Sequence, residues 1–353
     1  MHFKRLTGFV LVLMGIPAPA VLAKPIFGFG EMLNGIKKTL NQLADVGLMD
    51  LADSIQDEVK DLLNGVFPGS PGQPFPAELL HFLTYTAEFA SASYCDGIFV
   101  VGRKTQCKDP FCPTVTKGNV LTEAYFANKG SADTTGIVAL DATTKAIVVA
   151  YRGSQSIRNW FTNAKIETKP MPEWCPGCEV HVGFLDAFQE EQTTVVDSVT
   201  RLMKNYPGYK LVVTGHSLGG AIATVAATDL RKRGFQVSLV TYGSPRVGNE
   251  ALAKFISASK PNFRVTHLNE PVPRLPPLTL GYRHVEPEYH IFKGDYPIGP
   301  SDIKVYSGTV NFEGNTGFGG VTSFNFTAHR HYLLPTKLSA CDDSMRQGIE
   351  FKI

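Results

Sequence analysis

Beyond residue 23 the sequence contains no apolar run approaching the about eighteen residues that a membrane-spanning helix needs. It also lacks a charge excess of either sign. Its 34 Lys and Arg stand against 32 Asp and Glu, for a formal net charge of +2. The cations are scattered, with none of the clustered basic stripe that nucleic-acid binding requires. Internal repeats and low-complexity tracts are absent too. A single C-x-x-C, Cys175-Pro-Gly-Cys178, has no second copy and no βαβ start around it. A structural bridge therefore outweighs a zinc or redox reading. What remains is ordinary globular composition over 353 residues, 43% apolar and 19% charged, enough for one large domain or two small ones.

The first 23 residues read as a signal peptide. Lys4 and Arg5 precede an apolar stretch from Phe9 to Ile16, and small residues follow. Cleavage is expected after Ala23, with Ala18-Pro-Ala20 as the weaker site. A secreted chain with six cysteines is expected to form disulfides. Cys107 and Cys112 are close enough to staple a small loop, and Cys175 and Cys178 form the second bridge. Cys95 and Cys341 are then left to tie the start of the domain to its end.

Residues 24–76 differ in character. Leu, Ile and Val recur at helical spacing from Glu31 to Phe67, and a Pro- and Gly-rich linker follows. The stretch reads as a removable pro-segment or as an accessory helical hairpin, with no Lys-Arg pair inside it to mark a cut. From 77 to 353 the pattern is α/β. Helices are expected over 79–95, 184–208, 221–233 and 249–259, and strands over 136–153 (as a pair), 210–214, 237–243 and 263–268. Strands alternating with helices predict a mostly parallel central sheet covered on both faces.

One turn in that pattern carries chemistry. An apolar strand runs into Gly215-His-Ser-Leu-Gly219-Gly220, and a helix opens at once. G-x-S-x-G in this setting lifts the serine hydroxyl clear of the sheet, beside backbone N–H groups at a helix N-terminus. The plainer reading is a strand-to-helix turn and nothing more. A serine needs a base and an orienting acid, and on such a fold they follow it in the order acid, then His. Downstream histidines are His267, His284, His290, His329 and His331, and Glu270 follows the last of these expected strands directly.

The segments "VTGHSLGGAIATVAATDLR", "YGSPRVGN", "VTHLNEPVPRLPP", "YRGSQSIRNW" and "AHRHYLL" together resemble the fungal class 3 lipases, particularly the secreted Thermomyces and Rhizomucor type. The likeness runs from about Glu78 to Cys341 and leaves out residues 1–75. It implies an α/β-hydrolase fold with three disulfides, and the same three cysteine pairs. It also implies Ser217 as nucleophile and His329 as general base, since His329-Arg-His-Tyr332 fits the family's H-x-x-Y. His331 is the alternative base. Where the family usually carries aspartate, this chain has Glu270, whose extra methylene moves the carboxylate by about 1.5 Å. The oxyanion would be held by the backbone N–H of Leu218 and by Ser154. Ile157, Trp160 and Phe161, at i, i+3 and i+4, would form the apolar face of a lid.

The implied activity is hydrolysis of acylglycerol esters at a lipid–water interface, triacylglycerols first, without metal or organic cofactor. Alternatives are a mono- and diacylglycerol lipase, a feruloyl-type soluble esterase, or a lipid-binding homologue whose triad has decayed at Glu270. Trp160 and Phe161 argue against the more polar flap of feruloyl esterases. Asn325-Phe-Thr327 is an N-glycosylation sequon four residues before His329. Nothing demands an oligomer, so a secreted monomer is expected.

Overall fold

Strands buried on both faces read as unbroken apolar runs, and such runs sit at the centre of a covered sheet. "AIVVAY" at Ala146–Tyr151 is of this kind, with every residue buried. The computed structural model describes residues 75–95, 99–107, 110–129, 134–154, 166–294, 296–320 and 323–341, all within one compact unit, Gly72–Ile353. The signal peptide, nearly all of the 24–76 segment and the lid residues Ile157, Trp160 and Phe161 lie outside the described residues.

In chain order the described elements are α1 (Ala77–Ala92), α2 (Pro113–Lys117), β1 (Val120–Lys129), β2 (Thr134–Asp141), β3 (Ala146–Tyr151), β4 (Thr168–Pro170), β5 (Glu179–His181), α3 (Val182–Asn205), β6 (Lys210–His216), α4 (Leu218–Lys232), β7 (Val237–Tyr242), β8 (Gly248–Asn249), α5 (Glu250–Ala258), β9 (Asn262–His267), β10 (Tyr282–Arg283), β11 (Glu288–Ile291) and β12 (Ile303–Tyr306). An eight-stranded sheet has the order β1-β2-β3-β6-β7-β9-β11-β12. Its middle, from β3 to β11, is parallel, and its flanks are antiparallel. A small second sheet, β10-β8-β5-β4, lies apart from it. This is the α/β-hydrolase architecture, a mostly parallel sheet with helices on both faces.

Side-chain alternation divides the core. Ile147, Val149 and Val213 face α3 and α4, where Phe184, Val195 and Ala223 meet them. Val148, Ala150 and Val212 point the other way, toward Phe89 and Tyr94 at the α1 side. The expected helices and strands are present, with ends shifted by a few residues. β1, β11, β12 and the second sheet were not expected. β1 alternates buried Thr122, Ala124 and Phe126 with half-buried Leu121, Glu123 and Tyr125, so its sequence carries only a weak apolar signal. Among the described residues no helix is long and apolar enough to cross a membrane.

All six cysteines are paired, as Cys95–Cys341, Cys107–Cys112 and Cys175–Cys178. The first closes a loop of 246 residues in sequence separation and holds the end of α1 to the chain beyond His329. Cross-linking so long a loop restricts the unfolded chain most. Replacing Cys95 and Cys341 together by serine is expected to lower the unfolding free energy by about 2–5 kcal/mol. Equilibrium guanidinium denaturation measures it, and an unchanged midpoint would show that the bridge contributes nothing.

Candidate active site

Parallel strands open a crevice at their C-terminal ends, and β6 ends there at His216. Ser217 follows with φ 58° and ψ −127°, a conformation that non-glycine residues avoid. The turn is held because Ser217 N–H donates to the Tyr242 carbonyl at 2.8 Å while α4 begins at Leu218. A Cβ on Gly219 would run into the Tyr151 carbonyl, so only glycine lets α4 pass so close to the end of β3.

The structure brings Ser217, His329 and Glu270 together across 112 and 59 residues of sequence. Ser217 Oγ lies 2.9 Å from His329 Nε2, and His329 Nδ1–H donates to Glu270 Oε2 at 2.5 Å. Glu270 and His329 have no exposed surface, and Ser217 is 2% exposed. The longer glutamate side chain is accommodated by folding back. Its Oε1 accepts the His267 N–H at 2.7 Å, and its Oε2 also accepts the Tyr332 hydroxyl at 2.7 Å. Room for this comes from Gly243, at φ 57°. A Cβ there would collide with the Tyr332 hydroxyl and stand 2.7 Å from Glu270 Oε2 and 2.8 Å from His329 Cε1.

Burial sets the electrostatics of the group. It raises the Glu270 carboxyl above the ordinary carboxylate range, while the Tyr332 hydroxyl and the His267 N–H pull it back down. The same burial, with the Arg330 charge behind it, holds His329 below the usual imidazole value. A neutral imidazole with Nδ1–H directed at a carboxylate leaves Nε2 free to accept a proton from the serine.

Leu218 is the first residue of α4, where helix geometry leaves N–H groups without partners inside the helix. Ser154 adjoins Gly153, whose Cβ position would be 3.1 Å from Ser217 Cβ, so the end of β3 lies against the serine. Asn325 precedes the short turn that carries His329. The remaining downstream histidines are engaged elsewhere. His331 Nδ1 faces the Thr327 carbonyl at 2.9 Å, His284 Nε2 the Pro273 carbonyl at 2.6 Å, and His290 Nδ1 lies 3.0 Å from Thr266 Oγ1. His267 has Nε2 2.7 Å from the Lys293 carbonyl and Nδ1 2.5 Å from that of His331. Among the described residues no cluster of His, Cys, Asp and Glu could hold a metal ion.

Two supporting residues, His216 and Tyr94, carry no role in the sequence pattern. His216, buried and held neutral by desolvation, donates from Nε2 to the His329 carbonyl at 2.7 Å. Its Nδ1 accepts the Tyr94 hydroxyl at 2.7 Å. α1, β6 and the His329 turn are thus joined by one short chain of hydrogen bonds, and Tyr332 adds a second through Glu270. The histidine inside G-H-S-L-G was the available signal for His216. The partners lie more than a hundred residues away, so no local pattern reveals them.

Known proteins resemble this chain over most of its described part. Residues 148–280 match the family described as lipase (class 3). The secreted mono- and diacylglycerol lipase A of Penicillium cyclopium is 40% identical over 272 residues, 76% of this chain and 87% of that protein. A lipase of Rhizomucor miehei is 42% identical over 165 residues, 45% of each chain. The crystal structure of a mono- and diacylglycerol lipase from Aspergillus oryzae superposes with a TM-score of 0.72 at 39% identity, covering 75% of this chain and all of that one.

The Tyr332 hydroxyl favours the Glu270 carboxylate, against the burial that raises it. Acid is expected to protonate the Glu270–His329 pair and so to lower activity as pH falls. Tyr332→Phe deletes a donor that holds Glu270 down, so its carboxyl rises further and the acid limb moves to higher pH, by up to about one unit. The pH profile of kcat/KM measures the displacement. A limb that stays in place would show that Tyr332 does not govern the pair.

Proposed function

The chain belongs to the class 3 lipase family and is a carboxylic ester hydrolase; from that premise we propose a secreted enzyme that cleaves acylglycerol esters through Ser217, His329 and Glu270. The observation that carries the proposal is the unbroken chain Ser217 Oγ–His329 Nε2 at 2.9 Å and His329 Nδ1–Glu270 Oε2 at 2.5 Å.

Ser217 Oγ attacks the acyl carbon as its proton passes to His329 Nε2. Glu270 keeps the ring oriented and balances the imidazolium that forms. The oxygen of the tetrahedral intermediate receives hydrogen bonds from the Leu218 N–H and from Ser154. The ester C–O bond then breaks, and His329 returns the proton to the departing glycerol oxygen. Water, deprotonated by the same ring, attacks the acyl-serine and releases the fatty acid. Binding at a lipid surface belongs to the lid, through Ile157, Trp160 and Phe161, and the active species is a monomer without cofactor.

Triacylglycerols are the principal substrates in this reading. The Penicillium and Aspergillus relatives, mono- and diacylglycerol lipases by name, support a second reading, restriction to mono- and diacylglycerols. Initial rates on tributyrin across its solubility limit, beside emulsified di- and monoacylglycerols, distinguish them. A sharp rise as tributyrin droplets appear supports the interfacial triacylglycerol lipase. Turnover of partial glycerides alone supports the restricted enzyme, and saturation below the solubility limit would make it a soluble esterase. Glu270→Gln is expected to lower kcat by about 10⁴-fold, as triad acid-to-amide changes do. Near-native turnover in that variant would remove Glu270 from the mechanism.

A further inference from the structure

The loop leading to His329 exposes two aromatic rings, Phe324 at 50% and Phe326 at 59%. Asn325, half-buried between them, opens the sequence Asn-Phe-Thr. Its groups divide their work. Oδ1 accepts the Ala328 N–H at 2.9 Å, capping the turn Ala328–Arg330 that carries His329. Its backbone N–H donates to the Asn269 carbonyl at 3.2 Å, one residue from Glu270. Nδ2 has no hydrogen-bond partner among the described residues. Thr327, which completes the sequon, is exposed. The three disulfides mark the oxidising export route in which such sequons are modified.

We infer that Asn325 is an N-glycosylation site, in which Oδ1 keeps the turn-capping bond while Nδ2 carries the sugar on the flank of the active site. The donor is an oligosaccharide on a lipid pyrophosphate. Nδ2 attacks the anomeric carbon, the C–O bond to the pyrophosphate breaks with its electron pair going to oxygen, and Nδ2 gives up one proton, without oxidation or reduction. The product is still an amide, so its carbonyl accepts from Ala328 as before. A hydrated glycan there stands between two exposed phenyl rings, four residues from His329.

The test uses the full chain secreted from a fungal host, digested with and without peptide N-glycosidase in heavy-oxygen water. The peptide spanning Asn325 is expected as a glycopeptide, converted by the glycosidase to an aspartate form bearing the heavy isotope. A wholly unmodified peptide from the secreted protein overturns the site. Thr327→Ala separates the two roles, because it removes the sequon and leaves the cap; its kcat on a soluble p-nitrophenyl ester should match the wild type. Asn325→Ala removes both and should lower kcat by about three- to tenfold, through a loosened His329 turn. Asn325→Asp, which keeps the acceptor, should restore most of that loss even if the alanine variant folds poorly. Equal kcat in the alanine variants at 325 and 327, or no rescue by aspartate, overturns the capping role.

Discussion

A carboxylate with no exposed surface survives in a protein interior only where donors meet its oxygens. Glu270 sets that demand here. Its two oxygens draw in the His267 N–H, the Tyr332 hydroxyl and His329 Nδ1–H. These donors come from the end of β9 and from the C-terminal turn, which must therefore converge on the crevice where β6 delivers Ser217. Removing the glutamate's charge leaves donors unpaired in a dry site, and removing a donor leaves a buried charge short of a partner. The fold around the site is the set of supports that avoid both.

Those supports form a connected scaffold. Tyr94, two residues beyond α1, reaches His216, and His216 holds the His329 carbonyl. Cys95, the next residue after Tyr94, is bonded to Cys341. A helix from the start of the domain and a turn from its end are thereby fixed to the same strand. The strain at Ser217 is borne by the sheet behind it, where Tyr151 pairs with Gly215 and Tyr242 with His216 in parallel register.

Legibility in the sequence followed how local each determinant was. β3 and the first half of β6 were readable because burial on both faces writes a continuous apolar run. The nucleophile turn was readable because its glycines sit within two or three residues of the serine they accommodate. β8 and β10, two residues each, are too short to leave a pattern. Whether glutamate could replace aspartate beside His329 was unreadable. The answer depends on the missing side chain of Gly243, 27 residues upstream of Glu270, and on the hydroxyl of Tyr332, 62 residues downstream.

The central claim is that Ser217 is made nucleophilic by this buried chain. The most direct measurement is the rate of fluorophosphonate labelling, with the modified peptide identified by mass spectrometry, in the wild type and in His329→Ala. The account requires fast, single-site labelling at Ser217 that falls by orders of magnitude in the variant. Slow labelling of the wild type, labelling at another serine, or an unchanged rate without His329 would contradict it.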